Sequence, residues 1–241
     1  MTTKAKSSRK PSTIEQPHSC SFCEKAFRFE THLIKHMCRL KKRFLDRDRQ
    51  HARYAYMAYR IFYDTSYPTR RKSPTQEDFE KSSVYDAFVK FGQYIIDMNA
   101  ISPEEFIRFV IASKSPVDRW CNDKLYMEYV RALNKVEDGP RAMERNIRLM
   151  MSWAMQKEGR DLKNFFREIS PALAVQWLMS GRISPWVIFN CDSGQELLGR
   201  LNPEQYQMLS QAVDVKFWTK KFDANKEDVR GLRDFLSAEG W

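Results

Sequence analysis

The chain has 241 residues, with 41 Lys and Arg against 31 Asp and Glu, a formal charge of +10 at pH 7. No apolar run is long enough to span a bilayer, and no apolar stretch follows the charged amino end, which disfavours a membrane protein or a secretion signal. Five cysteines, with Cys121 and Cys191 far in sequence from any partner, argue against a disulfide framework and for a reducing, intracellular compartment, while 8 glycines against 16 phenylalanines exclude a collagenous or wholly disordered chain.

The charge is unevenly placed. Residues 1–72 carry 18 Lys and Arg and 6 Asp and Glu, net +12, whereas residues 73–241 are net −2. All four histidines (His18, His32, His36, His51) and three of the five cysteines also fall within the first 51 residues. Residues 1–17, with Lys4, Lys6, Arg9 and Lys10 and almost no large apolar side chain, read as a disordered basic tail.

Residues 18–42 carry the chemistry. Cys20 and Cys23 form a Cys-x2-Cys knuckle that sets two thiolates on one side of a tight turn, and His36 follows at the spacing a helix needs to bring an imidazole to the same tetrahedral ion, so Zn2+ is the expected cofactor. Phe27 lies four residues after Cys23 and Leu33 three before His36. The stretch thereby resembles the Cys-x2-Cys-x3-Phe-x5-Leu-x2-His portion of a two-cysteine, two-histidine zinc finger, over about a tenth of the chain. That resemblance implies a small ββα unit folded by its ion and two apolar side chains. It also implies base-facing side chains at Phe29, His32 and Lys35, although Phe29 is a poor reader of base edges.

The expected second histidine is missing, since Leu40, Lys41 and Lys42 stand in its place. Two substitutes are open. Cys38 is a soft thiolate, but an i, i+2 pair on a regular helix points about 200° apart, so it serves only if the helix distorts after His36. His32 lies one turn before His36 on the same face, and using it displaces the usual loop. Cys38 is favoured for its thiolate affinity.

Further along, residues 43–64 have the composition of a long basic and aromatic helix, ended by Tyr67-Pro68, and residues 65–74 read as a linker. One finger covers about three base pairs. Affinity for nucleic acid is therefore expected from phosphate contacts by Arg39, Lys41, Lys42, Arg43, Arg47, Arg49 and Arg53, with His32 and Lys35 on the finger itself. Tyr54, Tyr56, Tyr59 and Tyr63 are assigned to a buried face rather than to base stacking.

Residues 75–241 are expected to form an all-helical domain, so that the fold class is mainly α. Thr75 with Asp78, Ser102-Pro103 with Glu105, Ser115-Pro116 with Asp118 and Asn202-Pro203 with Gln205 mark helix starts. Apolar spacings such as Met143, Ile147, Met150, Met151 and Met155 continue the helical pattern, and only Trp186 to Phe189 suggests a short buried strand. Arg141, Arg145 and Arg148 read as a solvent face in preference to a second phosphate surface. No nucleotide-binding glycine loop is present, and no histidine lies beyond position 51. The expectation is a non-enzymatic nucleic-acid-binding protein, DNA before RNA, whose helical domain binds a protein partner or self-associates. A nucleic-acid-modifying enzyme targeted by the finger, or an RNA-binding protein, is the alternative.

Overall fold

The computed structural model describes residues 18–69 and 72–241; the expected tail at 1–17 and the linker residues Arg70 and Arg71 lie outside the described residues. The chain is mainly α. Its sheet, among the described residues, is one antiparallel pair, β1 (His18–Ser19) and β2 (Ala26–Phe27), with His18 opposite Phe27 and Ser19 opposite Ala26. Helices α1 (Glu30–Lys35), α2 (Arg39–Asp46) and α3 (Gln50–Ser66) follow.

The expected single helix over 43–64 is two helices, broken at Arg47–Arg49. Their anchors face different partners. On α2, Phe44 packs against Phe22 with ring centroids 5.2 Å apart, whereas α3 buries Ala52, Ala55, Ala58, Tyr59 and Ile61 against the body of the protein. Between them Leu45 is exposed and the next four residues are all charged, so no apolar side chain holds the segment helical. Arg49 is extended instead, at φ −68° and ψ 145°, and pairs with Asp46 at 3.1 Å.

Beyond Pro74, whose carbonyl accepts from the Tyr56 hydroxyl at 3.0 Å, come α4 (Gln76–Lys81), α5 (Tyr85–Asp97), α6 (Pro103–Ala112) and α7 (Asp123–Val136). Together with α3 they enclose one core, which includes Phe79, Phe88, Phe91, Phe106, Trp120 and Tyr126. Tyr59 is buried in it, and Tyr54, Tyr56 and Tyr63 pack partly buried against it, in agreement with the buried-face assignment. Small residues on α3 let α5 approach closely. A Cβ on Gly92 would stand 2.1 Å from the His51 carbonyl oxygen.

Thr75 and Asp78 form the expected capping box on α4. The Ser102-Pro103 signal does start α6 at Pro103, but Ser102 is left-handed (φ 42°, ψ 67°) and makes no side-chain cap. Ser115-Pro116 is corrected, since it opens only a 3-10 turn at Val117–Arg119 and Asn122 caps α7.

The second core is built from α8 (Gly139–Ala154), α9 (Phe165–Glu168), α10 (Pro171–Met179), α11 (Pro185–Ile188), α12 (Asp192–Gly199), α13 (Pro203–Ala212), α14 (Val215–Ala224) and α15 (Lys226–Ala238). Trp186, Phe165, Met150, Trp218 and Leu236 fill it. The apolar run at Trp186 is helical rather than a strand, since Ser184 caps the Trp186 amide and Pro185 supplies the first helical φ. On α8, Met143 and Met150 point inward while Met151, and Met155 at the C-cap, are exposed.

Arg145 departs from the solvent-face reading. It forms a mostly buried pair with Glu137 at 2.8 Å and donates to the carbonyls of Gly181 and Arg182. Arg141 and Arg148 do face water. Tyr126 joins the cores by donating to the Ser180 carbonyl while accepting from the Ile101 amide. Among the described residues no helix is long and apolar enough to cross a membrane.

Candidate metal centre

The amino-terminal unit has almost no core of its own. None of the residues of α1 is buried, and Cys20 is the buried apolar residue of the unit. What organises it is a turn and a break. The knuckle closes through the Cys20 amide on the Lys25 carbonyl (3.0 Å) and the Glu24 amide on the Cys20 carbonyl (2.8 Å), with Glu24 left-handed at φ 59°. Phe27 then packs on the His36 ring, centroids 4.8 Å apart.

The break explains the fourth ligand position. Helix α1 stops at Lys35, leaving His36 extended (φ −73°, ψ 123°) and Cys38 extended (φ −80°, ψ 166°) as the cap of α2. In extended chain, side chains two apart share a side. His36 and Cys38 therefore converge while Met37 between them is exposed. The Cys38 sulfur also accepts the Lys41 amide at 3.4 Å, so the residue that starts α2 also completes the group.

Cys20, Cys23, His36 and Cys38 bring one donor atom each within 4.8 Å of one another, and this group can hold a metal ion. The Cys23 sulfur is 3.2 Å from His36 Nε2, and the Cys20 and Cys38 sulfurs are 4.0 Å apart. His32, the other candidate for the fourth position, is outside the group. It is exposed, with its ring edge-on to Phe29 at 5.5 Å. The Phe22 amide directed at Cys20 lowers that thiol's pKa below the ordinary value. For Cys23 the Lys25 amide also lowers it, but desolvation and the neighbouring Cys20 and Cys38 sulfurs outweigh this and raise it. A cation placed among these sulfurs would favour their deprotonated forms.

The structure sorts the expected phosphate contacts. Lys35, Lys42 and Arg53 are exposed and have no ion-pair partner among the described residues. Arg39, Arg47 and Arg49 are exposed but paired with Asp86, Asp48 and Asp46. Lys41 donates to the His36 carbonyl at 3.2 Å. Arg43 is a correction to the sequence reading. It is only 5% exposed, donates to the carbonyls of Glu80 (2.7 Å) and Ser82 (3.1 Å), pairs with Asp86 and lies over the Tyr85 ring at 4.0 Å. Its charge is used to fasten α2 to the first core and has no donor facing a ligand.

Replacing Arg43 with alanine strands two carbonyls and removes a desolvated cation–π contact, so a loss of about 3 kcal/mol is expected. A urea midpoint would show it, and an unchanged midpoint would contradict the anchoring role. Arg28 and Arg60, also exposed and without an ion-pair partner among the described residues, escaped the sequence reading because neither belongs to the dense charge run. No family model matches the chain, and no curated protein or solved structure does.

Proposed function

We propose that the group of Cys20, Cys23, His36 and Cys38 holds a structural zinc ion, and that the unit it folds binds nucleic acid, DNA in preference to RNA, mainly through phosphate contacts. The convergence of the four donor atoms within 4.8 Å carries the reading. Three thiolates and an imidazole are a soft sulfur and nitrogen set suited to zinc, and four protein ligands close the coordination sphere, which marks a structural rather than a hydrolytic site. The unit needs such an ion because its own apolar burial is so small.

Nucleic-acid contact is supported by the net +12 on residues 1–72 and by the exposure of Lys35, Lys42 and Arg53 without carboxylate partners. Surface pairs such as Arg49 with Asp46 contribute little to stability and can exchange a carboxylate for a phosphate. The protein is proposed to act by binding and not by catalysis, with the helical cores serving a protein partner or self-association.

Lys35→Gln, Lys42→Gln and Arg53→Gln together are expected to weaken duplex binding equally for all sequences. The same triple variant should flatten the slope of log affinity against log salt by nearly three, about 0.9 per lost contact. Anisotropy titrations at several salt concentrations measure the slope, and an unaltered slope in the triple variant refutes the placement of the phosphate contacts.

A further inference from the structure

Helix α3 carries exposed arginines along one side and ends on an aromatic ring. Arg53, Arg60 and Tyr67 follow at seven-residue intervals, which on a helix of 3.6 residues per turn sets them on one side over about 21 Å. All three are exposed, and neither arginine has an ion-pair partner among the described residues. Tyr67, the residue that caps α3, is 53% exposed yet stacked on Tyr63, centroids 5.5 Å apart and planes 28° from parallel. Tyr63 is in turn braced by buried Tyr59 at 4.5 Å. The outer ring is thus held by the core and still open to solvent.

A second exposed ring sits on the metal-holding unit. Phe29 is 50% exposed, with the Arg28 guanidinium 5.3 Å from its centroid and His32 edge-on beside it. Rings half in water gain little from a duplex, whose base faces are already stacked on one another. A single strand offers base faces to stack and phosphates to pair at every step.

We propose that the nucleic acid this protein takes is single-stranded, with Phe29 and Tyr67 stacking on bases and Arg53 and Arg60 holding phosphates along α3. This rests on the nucleic-acid reading above and narrows it. The same observation explains why Phe29, a poor reader of base edges, stands where a duplex-reading finger would place a polar side chain.

The test is an anisotropy titration of the full chain with a labelled mixed-sequence DNA strand, its RNA counterpart and the DNA duplex, all at one salt concentration. At least one single strand is expected to bind more tightly than the duplex. Tyr67→Ala and Phe29→Ala should each lower single-strand affinity about tenfold and leave duplex affinity unchanged, while Tyr67→Phe keeps the stack and the affinity. A duplex bound at least as tightly as both strands, or an equal loss for strand and duplex in Tyr67→Ala, overturns the single-strand proposal alone. Binding to none of the three probes overturns the nucleic-acid reading together with it.

Discussion

Cys23→Ser is expected to release the metal and unfold residues 18–38 while α3 and the helices after it stay folded. The unit consists of two two-residue strands and a six-residue helix with no buried side chain. Such elements are far below the roughly 12–15 residues at which an isolated helix becomes even marginal in water. Structural zinc supplies about 10 kcal/mol or more in small metal-folded units. Losing one ligand of four removes the ion and with it nearly all of the unit's stability. Both helical cores draw on other side chains, so their amides keep their protection. Hydrogen exchange read residue by residue separates the two regions, and a chelator should give the same pattern in the unaltered chain. Persistent protection over residues 18–38 without metal would show that the unit folds by packing.

Gly92→Ala should destabilise the first core by about 3 kcal/mol, against the usual preference of a helix for alanine. In the interior of an exposed helix the change gains about 1 kcal/mol. Here the new Cβ would meet the His51 carbonyl oxygen at 2.1 Å and the Ala55 nitrogen at 2.9 Å, both backbone atoms that cannot rotate away. The close crossing of α3 and α5 must then open, and Ala52 and Ala55 lose contact with it. Chemical denaturation gives the sign directly. A raised midpoint would mean that the two helices have slack at their crossing.

The residues that can hold a metal ion were legible because few residue types can bind a soft cation, and their spacing is itself a geometric statement. Cys20, Cys23 and His36 needed no knowledge of the fold. Cys38 did, since its fitness depends on α1 ending at Lys35, and nothing short of the backbone at His36 and Cys38 shows that the chain becomes extended there. Arg43 shows where local reading fails. Within a run of charges it looks solvated, and its burial is decided by carbonyls at Glu80 and Ser82 on a segment far along the chain. The helical class followed from apolar spacing, and the Asn202 and Thr75 capping boxes from their side-chain chemistry. Trp186 misled because four apolar residues suit a buried strand as well as a buried helix, and the Ser184-Pro185 start signal just before them settles the matter. Gly92 carries its reason only in the partner helix.

Zinc K-edge X-ray absorption on the freshly purified full chain tests the ligand set most directly. The Cys20, Cys23, His36 and Cys38 group predicts one zinc per chain with three sulfurs near 2.3 Å and one nitrogen near 2.0 Å. Two sulfurs and two nitrogens would place His32 in the site instead of Cys38, and a sample without zinc would remove the ion on which the whole amino-terminal reading depends.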